Sequence, residues 1–204
     1  MINDINLSLF NLINANLITS FTTVKVAIFL AKRIIYIFPL IIIFFWFYGS
    51  AKNLFFQRIF VCKTTIALII SLFISGIISA FFPQERPFML DGGVGQYFLS
   101  HPPTASFPSN HATIAFTSTF SFLFWLRTWI VLLLFIADFT ISWARIFLGV
   151  HWPLDIAGAF LVSIIACGVS EVIWKIVGHK LFIYIIKAYQ VLFFPLIKRG
   201  WIKD

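Results

Sequence analysis

The chain has 204 residues, of which 61% are hydrophobic, 19% aromatic and only 11% charged, with a formal net charge of +8. At a mean hydropathy of +1.00, a soluble domain of this size has no interior large enough for so much apolar surface, which excludes soluble classes and leaves an integral membrane protein. The lysines and arginines stand at the ends of apolar runs, where anionic lipid heads and topology account for them, so the basic balance does not point to nucleic acid.

Residues 1–22 alternate Ile, Leu and Phe with Asn, Ser and Thr; Ile5, Leu9, Leu12, Ile13 and Leu17 share one face. The segment is too polar to span and predicts an interfacial amphipathic helix. With five asparagines in its first twenty residues and no basic leader, it does not resemble a cleaved signal peptide. Apolar runs follow at about Val26–Tyr48, with Lys32 and Arg33 near its start, and at about Cys62–Phe82. Turn formers fill the next stretch, from Pro83 to Pro108: Asp91-Gly92-Gly93, Gly95 and His101-Pro102-Pro103. Three more runs cover His111–Leu126, Trp129–Trp143 and about Leu154–Trp174. The segment Leu181–Ile197 is interrupted by Lys187 and Gln190 and reads as a C-terminal surface helix rather than a sixth span. One crossing takes about 20 residues, so the expected fold is all-α: one membrane-embedded domain over 1–204, a bundle of about five to six transmembrane helices plus the N-terminal amphipathic helix. Cys62 and Cys167 lie in or beside apolar runs and read as small hydrophobes in helices, not as a disulfide or a metal site.

Lys52, Arg58 and Lys63 separate the first two runs, Arg127 the third and fourth, and Lys175 and Lys180 follow the fifth. The positive-inside rule places these inside, so the loops 83–110 and 144–153 lie together on the outer face. Lys25, Lys32 and Arg33 run against the rule.

Those two loops hold the polar chemistry. Arg86 precedes Pro87, which stops a helix as it leaves the membrane, and Arg145 ends the fourth run. Guanidinium is a planar, permanent cation whose fork matches phosphate oxygens. Ser109 is placed to N-cap the third run, turning its hydroxyl and the following N–H groups outward at the positive end of the helix dipole. His151 opens a helix with Pro153 in its first turn, and Asp155 lies four residues on. The carboxylate can fix one imidazole nitrogen and aim the other at a ligand as a nucleophile. His111, two residues after Ser109, is placed to protonate a leaving oxygen and then to deprotonate water. Asp138, two turns below Arg145, is either a structural partner or a support for that arginine; His101 reads as a lid or surface residue, and Gly92, Gly93 and Gly95 as turn residues.

Arg86-Pro87, Pro108-Ser109-Asn110-His111 and Ala144-Arg145 with His151 and Asp155 at the following spacings resemble the tripartite pattern of the type 2 phosphatidic acid phosphatase superfamily. Glu85 to Phe88, Phe107 to Thr113 and Arg145 to Asp155 further resemble its undecaprenyl-diphosphatases of the bacitracin-resistance type, over about residues 5 to 175. The resemblance implies a phosphatase without metal or other cofactor in the cytoplasmic membrane of a bacterium. In it, His151 would form a phosphohistidine, Asp155 would support it and His111 would be the acid. Arg86, Arg145, Ser109 and Asn110 would hold the phosphoryl oxygens. The chain departs from the pattern in three places: Ser79 stands where a lysine is usual, Asn110 where glycine is, and Ala144 where serine is. Lys32, from the first run, either turns inward to replace the missing cation or snorkels to the interface. The implied reaction converts undecaprenyl diphosphate to undecaprenyl phosphate on the periplasmic or exterior face, recycling the cell-wall lipid carrier. Phosphatidic acid, phosphatidylglycerophosphate and lipid A are alternative substrates. A non-catalytic lipid-binding or lipid-transport protein is the alternative of another class, although the sequence carries no inverted repeat. The polyprenyl diphosphate and membrane lipids are the expected partners, and the sequence leaves the oligomeric state open.

Overall fold

A computed structural model describes residues 4–49, 51–90, 94–126 and 129–203, and among these every regular element is helical. The predicted turn Asp91-Gly92-Gly93 and the loop cation Arg127 lie outside the described residues, as does the side chain of Lys52. α1 covers Asp4–Ile13 and α2 Phe21–Arg33. Ser20 caps α2, its Oγ accepting the Thr23 N–H at 3.1 Å. A 3-10 turn, Ile34–Tyr36, leads into α3, Ile37–Phe47. The tightening falls where Pro39 has no N–H to return to the carbonyl four residues back. α4 (Ala51–Phe81) rises to the irregular segment around Arg86. α5 (Asn110–Ser121) passes into a π turn, Phe122–Leu126, and α6 (Ile130–Phe147) returns. α7 (Pro153–Ile173), a π turn (Trp174–Gly178) and α8 (His179–Leu192) follow, and α9 is Phe194–Lys198.

Four stretches among the described residues are long and apolar enough to cross a membrane: Phe21–Phe47, Asn53–Phe81, Ile130–Phe147 and Pro153–Leu192. The chain is a multi-pass membrane protein. The remaining predicted run, α5 with its π turn, covers 110–126 and is the inner helix of the bundle. Thr113, Thr117, Ser118, Thr119 and Ser121 are all buried there, among α4, α6 and α7. Thr117 donates to Ser163 of α7 at 3.0 Å, and Ser163 donates in turn to backbone carbonyls. Below it, Phe38, Ile42, Phe60, Phe122, Val131 and Leu134 close an apolar core.

The C-terminal ends of α4 and α6 and the N-terminal ends of α5 and α7 meet at one end of the bundle. α1 buttresses that end. Of its predicted stripe, Ile5, Leu9 and Leu12 are exposed, Ile13 is half-buried and packs inward instead, and Leu17 beyond it faces outward. Its other side packs inward: Phe10 meets the Trp152 ring at 4.9 Å, and Asn6 Oδ1 accepts the Leu154 N–H at 3.0 Å. The 1–22 segment is therefore one short helix, Asp4–Ile13, and a turn that leads into α2 at Phe21. At the opposite end α8 runs on from α7 and folds against α3 and α4, with Tyr189 on Trp46 and Phe182 on Phe55. A largely apolar groove of about 770 Å³ lies between α4 and α8, and no motif residue lines it.

Candidate active site

The turn after α6 delivers the histidine. Gly149 takes φ +77°, which reverses the chain within a few residues, and a Cβ there would collide with the Gln96 carbonyl. His151 and Trp152 follow, and Pro153 starts α7 with its fixed φ. Asp155, fully buried in the first turn, accepts three hydrogen bonds on Oδ2: from the Trp152 N–H at 2.8 Å, from His151 Nδ1 at 3.0 Å and from the Ser106 hydroxyl. A carboxylate oxygen facing Nδ1 assigns the proton to that nitrogen and leaves the lone pair on Nε2.

Two guanidiniums converge on Nε2: Nη1 of Arg86 at 3.2 Å and Nη2 of Arg145 at 3.3 Å. Arg86 is also bound to the loops. Nε donates to the Thr104 carbonyl at 2.9 Å, Nη1 to the Val150 carbonyl at 2.8 Å, and Nη2 to the Ala105 carbonyl at 3.0 Å and to Thr104 Oγ1 at 3.3 Å. Arg145, equally buried, makes only its contact with His151 among the described residues, and its Nε has no partner. Burial, then the charges of Arg145 and Arg86, hold the His151 imidazole well below the usual histidine range, so the ring is neutral at pH 7.

These side chains face a cavity of about 320 Å³, whose wall includes Arg86, Arg145, His151, Asn110, His111 and Ser79. His111 stands in the first turn of α5. Ser109 is the N-cap residue; its hydroxyl is buried without a partner behind the cavity wall, while its N–H donates to the Asp155 carbonyl at 3.2 Å. Lys32 corrects the expectation placed on it. It is exposed in the last turn of α2 and is not part of the cavity wall. The buried stripe of α2 is Val24, Ala27 and Ala31, and Lys32 falls about 100° round the helix from Ala31. Ser79, at the position of the usual lysine, donates instead to the Phe107 carbonyl at 2.8 Å.

Sequence reasoning missed three contributors. Ser106 binds Asp155; the Thr104 and Ala105 carbonyls fix Arg86; and His101, read as a lid or surface residue, lines the cavity with its ring centroid 6.3 Å from that of His151. Burial, together with the nearby arginines, lowers the His101 pKa. Only the position of Ser106, two residues before Pro108, offered a signal. Among the described residues no group of three or more His, Cys, Asp and Glu side chains is placed to hold a metal ion.

The model of the PAP2 superfamily matches residues 60–178. A protein of Escherichia coli K12, YbjG, provisionally named an undecaprenyl-diphosphatase, is 41% identical over 204 residues, the whole of both chains. The undecaprenyl-diphosphatase of Sulfolobus acidocaldarius is 33% identical over 163 residues, 78% of this chain and 73% of that one. Among solved structures, Aquifex aeolicus LpxE superimposes with a TM-score of 0.65 at 27% identity, covering 82% of this chain and 95% of its own.

Proposed function

This chain belongs to the PAP2 superfamily, and on that premise we propose that it hydrolyses undecaprenyl diphosphate to undecaprenyl phosphate at the outer face of a bacterial cytoplasmic membrane. The Nε2 lone pair of His151 attacks the terminal phosphorus, and the bond from that phosphorus to the bridging oxygen breaks. Undecaprenyl phosphate leaves and a phosphohistidine remains. Water then attacks the phosphorus, His111 takes its proton, the N–P bond breaks and inorganic phosphate departs. Charge on the transferring group is met by the two guanidiniums and by the N-terminus of α5. A phosphate leaving group is much more stable than an alkoxide, so His111 matters less in the first step than it would for a monoester.

The observation that carries this reading is the setting of the imidazole: Nδ1 held by Asp155, Nε2 turned to the cavity between Arg86 and Arg145. The choice of a diphosphate rests on the names of the relatives. The outer-face orientation rests on charge: Arg58, Lys63, Lys175, Lys187, Lys198, Arg199 and Lys203 all belong to the end away from the cavity. Purified protein should release phosphate from a long-chain polyprenyl diphosphate in the presence of a chelator. His151→Ala should abolish release, and brief incubation with terminally labelled substrate should leave an acid-labile label on the wild-type chain alone. Full release by His151→Ala, or no release by wild type, overturns the proposal.

A further inference from the structure

Below Arg145, the seam between α5 and α6 contains polar groups that the reaction above does not use. Asp138, Ser142 and Arg145 follow one another along α6 at intervals of four and three residues, which places them on one face. They are 0%, 4% and 2% exposed. Thr119, 0% exposed, meets Asp138 from α5. The hydroxyl of Ser142 and Nε of Arg145 are buried without a hydrogen-bond partner among the described residues, and the Asp138 carboxyl group faces the Thr119 hydroxyl.

One helix face thus buries a carboxylate with no cation and, two turns above it, a guanidinium with no carboxylate. Buried polar groups are almost always satisfied, and a buried ionisable residue at membrane depth is costly unless it acts on a partner. Seven residues of helix span about 10.5 Å, too far for direct contact, and Ser142, one turn below Arg145 on the same face, stands between the two. Buried water commonly joins such groups, with about three hydrogen bonds each. The cavity side gives Arg145 nothing but His151 Nε2, an atom that must be released to phosphorus during the reaction. Whatever aims this guanidinium has to act from the seam.

We propose that Asp138 is a positioning residue: through Ser142 and Thr119, joined by buried water, it holds the Arg145 guanidinium against the phosphoryl group. This rests on the phosphoryl-transfer reading of the cavity. Asp138→Asn keeps the shape and exchanges the carboxyl group for an amide. It should lower kcat about ten-fold and weaken inhibition by inorganic phosphate by a similar factor, with KM for the lipid little changed. Ser142→Ala and Thr119→Val should move both quantities the same way by smaller factors, and they answer the question if Asp138→Asn does not fold. In an Arg145→Ala background, Asp138→Asn should leave inhibition by inorganic phosphate unchanged, because the group it positions is gone. Wild-type kcat and phosphate inhibition in all three variants, or a full additional loss in the Arg145→Ala background, overturns the proposal. If wild-type protein releases no phosphate from a lipid diphosphate, the reading of the cavity fails instead, which is a different result from an active wild type with inert seam variants.

Discussion

The cavity has a loop wall and a helix wall, and the two treat their arginines in opposite ways. On the loop wall, Arg86 donates to three backbone carbonyls and to Thr104 Oγ1, tying the 104–105 segment to Val150. On the helix wall, Arg145 is just as buried but among the described residues has one side-chain hydrogen-bond partner, the imidazole. A guanidinium engaged by carbonyls is primarily a scaffold whose charge also reaches the site. One with open N–H groups is available to a ligand. Two motif arginines of one pattern therefore do different work.

The largest effect should come from the group both walls share. Asp155→Asn keeps the size of the side chain but can present an amide N–H to Nδ1, which reverses the tautomer and removes the lone pair from Nε2. Turnover should fall on the order of 10³–10⁴-fold. Ser106→Ala, which removes one of three donors to the same oxygen, should cost roughly ten-fold. Steady-state phosphate release on both variants checks this, and equal activity of Asp155→Asn and wild type would remove Asp155 from the mechanism.

Next, the arginines can be set against each other. Arg145→Lys keeps the charge and loses the fork, so kcat should drop about 10²-fold or more while the melting temperature in detergent stays near that of wild type. Arg86→Lys should lower both, since a lysine cannot reach four oxygens on two loops. If Arg145→Lys melts earlier and Arg86→Lys does not, the assignment of scaffold and ligand-binding arginine is reversed.

This division was only half legible in the sequence. Arg145, His151 and Asp155 could be read because one helix end and the next helix start fix their spacing, and a carboxylate four residues after a histidine reaches it in any helix. Arg86 could be read as a cation but not as a staple, because its acceptors are backbone carbonyls of an irregular loop that no side-chain pattern marks. Ser106, in the same loop, was marked only by its place two residues before Pro108. Lys32 was misplaced because a cation inside an apolar run looks alike whether it faces protein or lipid; the small residues Ala27 and Ala31, which let α2 approach α6, were the better guide to the inward face. The asparagines of 1–22 were read only as making the segment too polar to span, yet Asn6 in α1 and Asn14 just after it bond the backbone around the site.

A smaller effect should come from the turn that joins the walls. Gly149→Ala forces an alanine to φ +77° against the Gln96 carbonyl, at a cost of about 1–3 kcal/mol. The melting temperature should fall and turnover should drop modestly, since the turn aims His151 without touching substrate. Turnover lost with the melting temperature unchanged would assign Gly149 a closer role.

The smallest change should be the response of the rate to mild acid, and its sign separates two effects of one histidine. Burial first, then the guanidiniums of Arg145 and Arg86, lower the His151 pKa well below its ordinary value near 6.5. In the proposed reaction the nucleophile is the neutral ring, so it stays active as pH falls through 6.5, and kcat/KM in short assays should change less than about two-fold between pH 7.5 and 6.5 on account of this group. Stability runs the other way. The unfolded chain binds a proton at this histidine below about pH 6.5 and the folded chain does not, so the unfolded state holds more protons and the fold loses stability as pH falls through that range. Prolonged incubation at pH 5.5 should therefore inactivate wild type faster than a His151→Gln variant unfolds, the latter followed by melting. An acid limb in kcat/KM centred at 6.5 that disappears in His111→Gln would assign the limb to the other histidine. One that survives that change would mean that His151 carries an ordinary pKa, and that the two walls exert much less field on the nucleophile than their distances imply.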